Sequence, residues 1–524
     1  MDVEAENKIR FPKGWALSSL GEVAQYINGR AFKPSEWEEK GKQIIRIQNL
    51  NNPEAKYNYS SKNHEDRYLI RKNDLLFAWS ASLGAYIWHG EDAWLNQHIF
   101  HVISEKCIDK IYLYYLLKRI TSELYAKTHG SGMVHVTKGK FEKTSIALPS
   151  LYEQNEIVSK IEEFFSELDS GIESLKKARE QLKTYRQAVL KHAFEGKLTE
   201  KWRQRQKETG NPPGPAEKLL ERIRKEREAH YKKQVEIWEK KCEQAKAEGR
   251  KKPAKPKKPK DLPQLTEEEL AELPQLPEGW CWGRFQNIVI DSQNGLAKRT
   301  GNRGTSYKVL RLADIKNGNI NDQNPRRILL TDNEILKYTL SKNDFVCIRV
   351  NGSIDLVGRM ILVPNNDNWA FCDHFIKFRL CQKNINIKYI NWLFNIQIIR
   401  RFISLKMVSS AGQNTVSQKT ILSVPIPFCS NIEQHQIVSE IESRLSVCDQ
   451  LEQSIEDSLN KAETLRQSIL KKAFSGQLTR QWRKENPELI SGENSAEKLI
   501  ERIREEKKKM QDAGSTRRGK KKSA

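Results

Sequence analysis

The chain contains one stretch of itself twice, and any fold must satisfy both copies. "KHAFEGKLTEKWR" begins at Lys191 and returns as "KKAFSGQLTRQWR" at Lys471. Residues 153–227 align without gaps with 433–507, at a constant offset of 280. Within that span 11 of 18 positions agree between 186–203 and 466–483, and "AEKLLERIR" at Ala216 matches "AEKLIERIR" at Ala496 in 8 of 9. A repeat of this length is a structural unit used twice.

Upstream of each copy the match weakens but keeps its order. "FPKGW" ending at Trp15 pairs with "LPEGW" ending at Trp280, and "RIQNL" at Arg46 with "RLADI" at Arg311. "KNDLLF" at Lys72 pairs with "KNDFVC" at Lys342, His98 with His374, and Gly132 with Gly412. The offset drifts from 265 to 280 through insertions between these anchors. Each half is therefore a variable globular domain followed by a constant segment. At 524 residues the chain is too long for one core.

The constant segments read as helix. Apolar residues fall at Ile157, Ile161, Phe164, Leu168, Ile172, Leu175, Ala178, Leu182, Tyr185 and Val189 in the first copy. The second keeps a looser seam through Ile437, Ile441, Leu445, Cys448, Leu451, Ile455, Ala462, Leu465 and Ile469. Steps of three and four make a coiled-coil-like stripe, and Gly196 and Gly476 stand where a helix ends in a left-handed cap. About 37 helical residues span roughly 55 Å. Two such stripes in one chain are expected to pair antiparallel as a rigid spacer between the globular domains. The alternative is that each helix packs on its own domain only.

The variable domains read as mixed α/β. "DLLFAW", "HIFHVI", "DFVCIRV", "GRMILV" and "HFIKFRL" are short apolar runs bounded by Asn, Gly and Asp, which predicts strands. "KIYLYYLLKRI" and "KYINWLFNIQIIRRFI" predict helices after the last strand of each half. A polar Gly/Ser loop follows in both, "THGSGMVHVTKGKF" and "VSSAGQNTVSQKT". Trp15 and Trp280 are expected to be buried anchors, and His98 and His374 to occupy matched strand positions with a shared core or hydrogen-bonding role.

Net charge is +23, but 221–260 carries 16 Lys/Arg against 7 Glu and 501–524 carries 10 against 4. A solvated helix and a disordered end account for most of that charge, so binding to a polyanion has to be argued from organisation. The eight cysteines show no C-x-x-C pair and no zinc-type spacing, so they are expected to be reduced and mostly buried, with no metal. No uncharged run reaches the roughly 20 residues that span a bilayer, and the expected location is the cytoplasm.

The twin arrangement, the "GW" starts, "LLFAWSASLGAYIW" with "LNQHIF", "NGSIDLVGRMILVP", "EQNEIV" and "EQHQIV", and "AFEGKLT" and "AFSGQLT" together resemble the specificity subunit of Type I restriction-modification systems. The resemblance covers almost the whole chain. It implies a mixed α/β fold in which two target recognition domains alternate with two long conserved helical regions, paired as an antiparallel coiled coil in a pseudo-two-fold arrangement. On that reading 1–150 is the first recognition domain and 151–230 the first conserved region. A charged helical and Pro/Lys-rich linker follows over 231–275, the second recognition domain over 276–430, the second conserved region over 431–510, and a basic disordered tail over 511–524. The linker departs from the family pattern, and Pro253, Pro256 and Pro259 favour an extended, stiff course there.

The resemblance further implies a subunit without its own catalysis. It reads an asymmetric, two-part DNA target and joins two methylation subunits and the restriction subunits. Those partners would hold S-adenosylmethionine, ATP and Mg; no cofactor is expected in this chain. "NPPG" at Asn211 resembles the Asn-Pro-Pro-aromatic motif of amino-methyltransferases, but Gly214 replaces the aromatic that stacks on a flipped base, so a turn is expected. No phosphate-loop motif occurs.

Base reading uses Arg or Lys on guanine and Asn or Gln on adenine, with phosphates held by Lys, Ser, Thr and backbone amides. The candidates in the first domain are Lys33, Arg46, Asn49, Trp79, Ser80, Ser82, Ser131, His135 and Lys138. In the second they are Lys298, Arg299, Arg311, Arg349, Asn351, Ser353, Gln413, Asn414 and Ser417. Two other classes fit the same residues: a solitary DNA-binding protein without methylation or restriction partners, and a coiled-coil scaffold whose domains bind protein. Methylated adenine in the source cells, with and without the gene, discriminates among the three.

Overall fold

The structure is a computed structural model. It describes residues 12–80, 82–127, 137–249, 251–256, 258, 261–316, 318–365 and 367–520, with side chains as far as 509. It divides into two compact units, one formed by 1–177 with 455–524 and the other by 178–454. Both units draw on both sequence repeats.

In the first unit the entry strand Ala16–Ser19 pairs antiparallel with the exit strand Ser145–Leu148. Between them lies an antiparallel four-stranded sheet in the order Ala24–Asn28, Ile99–Ser104, Leu75–Ala78, Gly84–Ile87. A second sheet contains Lys42–Ile45 parallel to Ala93–Leu95. All four residues of Leu75–Ala78 are buried, because this central strand is covered on both faces. Alternation sends Leu75 and Phe77 into one core and Leu76 into another, which is why the run is continuously apolar.

The second unit repeats this plan. Cys281–Arg284 pairs with Pro425–Phe428, and Phe345–Ile348 is the doubly covered strand, with Phe345 and Cys347 in one core and Val346 and Ile348 in the other. Thr305–Leu310 runs parallel to Trp369–Phe371, as their counterparts do in the first unit. The expected strands and helices are present, the latter as Lys110–Lys127, Ile387–Leu393 and Gln397–Leu405. They are not followed by loop alone: one further strand in each half returns to pair with the entry strand. His98 and His374 stand in the turn before a strand rather than within one.

The long helices run Leu151–Phe194 and Asn431–Ala473, and Gly196 and Gly476 follow them with φ of 74° and 70°. In the first unit Ile157, Ile161 and Phe165 share a core with Ile469, Leu470, Ala473 and Phe474, and Arg466 pairs with Asp169 while lying 4.7 Å over the Phe165 ring. In the second, Val189, Leu190 and Ala193 share a core with Ile437, Ile441 and Leu445, and Arg186 pairs with Asp449 at 2.7 Å and Glu452 at 2.8 Å. Within each unit partner numbers fall as helix numbers rise, so the packing is antiparallel, as the stripes predicted. The stripe itself needs correcting. Phe164 is exposed and Phe165 takes its place, because Phe165 also meets Tyr115 of the globular domain edge-on at 5.7 Å. Leu451 and Leu465 lie half exposed.

Each unit is closed by one buried carboxylate. Glu153 Oε2 accepts from the Trp15 indole at 2.9 Å; its Oε1 accepts from the Thr479 hydroxyl at 2.6 Å and from Arg483. Glu433 accepts from Trp280 at 2.9 Å, Thr199 at 2.8 Å and Arg203 at 2.6 Å. The neighbouring glutamines bind backbone, Gln154 through Asp109 N and Gln434 through Asn386 N, both at 3.0 Å. Gly476 and Gly196 offer their carbonyls to the same arginines at 2.6 and 2.8 Å. The motif that repeats most faithfully is thus a receptor for the glutamate of the other repeat.

After Phe194 come Glu200–Glu208, the expected turn at Asn211, and the helix Ala216–Ala247. The stretch expected as a disordered tail is helical through Lys520, as the end of Ala496–Lys520; it carries no proline to stop that helix. Among the described residues all eight cysteines are free, five of them buried, and no helix is long and apolar enough to cross a membrane.

Removing one partner of a buried ion pair costs about 3–5 kcal/mol, because the other charge stays buried. Arg483→Met is therefore expected to weaken the first unit by about that much, and adding Glu153→Gln to recover part of it. Hydrogen exchange resolved by peptide checks this: faster exchange confined to 1–177 and 455–524 is expected, and unchanged exchange would show that the pair adds nothing net.

Candidate nucleic-acid interface

In the second unit several candidates converge on one small sheet. Val350–Asn351 pairs with Gln413–Thr415, which pairs with Val408–Ser410. This gathers Arg349, Asn351, Ser353, Gln413 and Asn414, with Ser417 capping the next short helix by accepting from Thr420 N at 3.0 Å. The Arg349 backbone N donates to His374 O at 2.7 Å, while its guanidinium bonds to no described residue. Ser353 and Gln413 are exposed with unengaged side chains. Asn351 Oδ1 accepts from Ser353 N at 2.9 Å. Asn414 is 8% exposed; it accepts from Ser409 Oγ at 2.5 Å and donates to Gly352 O at 3.0 Å, so its amide holds the loop.

The loop 352–358 has a clamp that sequence reading missed. Arg400 Nη2 donates to Val357 O at 2.8 Å, Asp355 O at 3.0 Å and Ile354 O at 3.5 Å. Burial, together with neighbouring Arg359, holds its guanidinium below the usual range. The loop and hairpin carry apolar residues into solvent: Ile354 is 54%, Val408 68% and nearby Leu405 75% exposed. Such residues suit thymine methyl groups or an apolar partner.

The other three candidate cations of this domain are engaged. Lys298 binds Glu334 at 3.1 Å, Arg311 binds Asp314 at 2.7 Å and Asn324 O at 3.0 Å, and Arg299 makes a two-pronged pair with Asp373 at 2.8 and 3.0 Å. Burial opposes ionisation of Asp373, but Arg299 outweighs it and holds the carboxyl below its usual range. Cys372, Asp373 and His374 are the only described group whose ligand atoms lie close enough to share a metal, within 4.8 Å of one another. The carboxylate there is committed to Arg299 and burial pushes the Cys372 thiol up, so the set has the chemistry of a hydrogen-bonded turn.

The first unit places Trp79 where the second has Arg349. Its backbone N donates to His98 O at 3.3 Å, and its ring stacks on Phe100 at 5.7 Å and tilts against His98 at 5.4 Å. Ser80 and Ser82 lie half exposed in the turn beside it. Lys33 is exposed, and Arg46 lies 5.5 Å over the Trp37 ring. Asn49 is 2% exposed; it accepts from Arg46 N at 3.1 Å and donates to Ala55 O at 3.3 Å, so a base contact would require releasing that turn. Lys138 donates to Tyr26 O at 2.6 Å. Ser131 and His135 lie outside the described residues. Both units also need a glycine missed above. A Cβ on Gly29 would sit 2.2 Å from Asn96 O and one on Gly295 1.9 Å from Cys372 O; the repeated "NG" before each was the available signal.

A family model described as Type I restriction modification DNA specificity domain matches residues 12–183 and 293–461. The chain is 28% identical to the Type I restriction enzyme StySPI specificity subunit of Salmonella potsdam, covering 96% of this chain and 97% of that one. It is 24% identical to the EcoKI specificity subunit of Escherichia coli strain K12, covering 95% and 96%. Among solved structures, a chain from work on complex assembly and conformational transition of the type I R-M system superposes with a TM-score of 0.56 at 17% identity, over 89% of this chain and 99% of that one.

Arg400→Met removes charged hydrogen bonds to three carbonyls, each worth about 1.5–3 kcal/mol at most. The Gly358 amide, which donates to Ile348 O at 2.8 Å, is expected to exchange at least about tenfold faster, a loss of about 1.4 kcal/mol locally. Unchanged exchange would show that the loop stands without its clamp.

Proposed function

Because the chain belongs to the Type I restriction modification DNA specificity domain family, with both halves matched, we propose that it is a recognition subunit without catalysis of its own. It reads an asymmetric, two-part DNA target in the cytoplasm and directs adenine-N6 methylation and ATP-dependent restriction by partner subunits. The observation that carries this reading is the duplication of one frame with unlike surfaces. Trp79 and Arg349 hold matched positions and matched backbone bonds, yet one is a stacked indole and the other a guanidinium free of described partners. Two unlike readers specify two unlike half-sites. S-adenosylmethionine, ATP and Mg belong to the partners on this reading.

The recognition domains are 1–150 and 276–430. Arg349, Ser353 and Gln413 in the second, and Lys33, Ser80 and Ser82 in the first, are the candidates whose side chains are free to reach DNA. The docking sites for two methylation subunits are the apolar residues that the long helices leave exposed. They include Phe164 at 38% and Leu465 at 50% in the first unit, and Val447 at 54%, Leu451 at 48% and Ile432 at 70% in the second.

Methylated adenine mapped across the source genome, with and without the gene, tests the reading; loss of one split, asymmetric motif is expected, and an unchanged methylome overturns it. Arg349→Ala is expected to relax one half-site by about 1–3 kcal/mol, roughly 5- to 150-fold at one base pair, and to leave the other intact. An unaltered motif would remove Arg349 from the reading surface. Leu451→Asp and Leu465→Asp are expected to abolish co-elution with co-expressed methylation subunits while the melting temperature stays within a few degrees, as for exposed positions. Retained co-elution would move the docking site elsewhere.

A further inference from the structure

The Pro/Lys segment expected to be a linker is docked. Past Gly249, which has a φ of 63°, the chain turns back along the helix Ala216–Ala247. The Trp238 indole donates to Pro253 O at 2.9 Å, and Lys252 and Lys255 lie 4.9 and 5.3 Å from the centre of its ring. Further on, Arg227 pairs with Asp261 at 2.8 Å, and Arg284 binds Pro263 O at 2.7 Å and Glu269 at 2.7 Å. Partner numbers on the helix fall from 238 to 227 as the strap rises from 253 to 261, so it runs antiparallel to the helix.

The spacing of prolines and lysines favours polyproline II in this segment, in which, with three residues per turn, prolines three apart would share one edge and lysines three apart another. Pro253 and Pro256 are half-buried, whereas Lys251, Lys252, Lys255 and Lys258 are exposed. No carboxylate among the described residues forms an ion pair with any of these four. The adjoining helix adds exposed Lys232, Lys233, Lys240 and Lys241. In polyproline II, residues three apart stand about 9 Å apart, within the Debye length of roughly 8–10 Å, so Lys252, Lys255 and Lys258 at that spacing would repel one another. A free linker would spread them. Docking instead holds a row of cations that have no carboxylate partner among the described residues, two of them over the Trp238 ring, which lowers the entropy lost on meeting a polyanion.

We propose that this strap is a second DNA-binding surface of the chain, independent of sequence, that takes the phosphates of duplex DNA. It goes beyond the recognition reading, which assigns DNA contact to the two globular domains, and it rests on that reading for the choice of DNA as the polyanion. Duplex DNA carries one charge per roughly 1.7 Å of axis, and each phosphate neutralised steepens the salt dependence of binding by about 0.9.

The test uses the full-length chain and a labelled duplex of arbitrary sequence, titrated over a range of salt concentrations. Changing Lys251, Lys252, Lys255 and Lys258 together to Gln is expected to reduce the slope of log affinity on log salt by about 3–4. Changing the same four to Arg is expected to keep it. Trp238→Ala, which frees the strap without removing charge, is expected to weaken binding at constant salt. An unchanged slope in the Gln variant overturns the proposal. So does a slope lost equally in the Arg variant, since that assigns the effect to disturbed docking, and so does loss of partner co-elution with no change in slope, which assigns the strap to a protein. The genomic motif separates the two readings: a variant that keeps methylating its split target with an unchanged slope defeats the strap alone, and absence of any such motif in the parent defeats the recognition reading itself.

Discussion

Each unit is organised around a buried carboxylate. Burying such an ion costs several kcal/mol unless its lone pairs are satisfied. Glu153 and Glu433 each satisfy theirs with an indole, a hydroxyl and a guanidinium. The indole comes from the entry to a globular domain, and the hydroxyl and guanidinium from the far end of the other repeat. Three distant segments are thereby located about one point. Nothing apolar could do this as selectively, because a methyl group packs against many neighbours whereas these donors converge on one carboxylate.

This explains why repeat and unit do not coincide. A repeat is a length of sequence, while a unit is whatever closes around one glutamate. The receptor for Glu153 lies at 476–483 and that for Glu433 at 196–203, so each unit borrows the end of the other repeat. Among the residues that agree between copies are three with a part in this closure: the helix-ending glycine that lends its carbonyl, the threonine, and the arginine one helical turn beyond. Agreement also extends to exposed positions such as Lys191 and Lys471, which the closure does not explain.

Much of this was legible in the sequence, because the relevant signals are local or periodic. Doubly covered strands read as unbroken apolar runs, helices as stripes, caps as glycines. What was hidden depends on tertiary partners. Phe165 replaces Phe164 in the core because Tyr115 approaches from the side, and no spacing rule contains Tyr115. Asn49 and Asn414 have the composition of base readers, yet both spend their amides on backbone. Arg400 read as one more basic residue on a helix, although its role is to hold a loop more than forty residues earlier in the chain. The strap read as a linker because the Trp238 that receives it lies in a stretch dominated by charge.

The distribution of cations follows a division familiar in DNA recognition, where phosphate contacts position a protein and base contacts specify its site. Within the second globular domain most candidate cations are already spoken for: Lys298 by Glu334, Arg299 by Asp373 and Arg311 by Asp314. Over 276–430 the domain nonetheless carries 21 Lys/Arg against 10 Asp/Glu, so its net charge attracts a polyanion, while the internal pairs leave Arg349 as the candidate cation whose guanidinium has no partner among the described residues. On the proposed reading the strap adds to that attraction. Lys251, Lys252, Lys255 and Lys258, which form no ion pair with a described carboxylate, lie exposed on that strap. On that reading the candidate side chains supply selectivity and the strap adds an attraction that does not depend on them, so the recognition surfaces can change while the strap is kept.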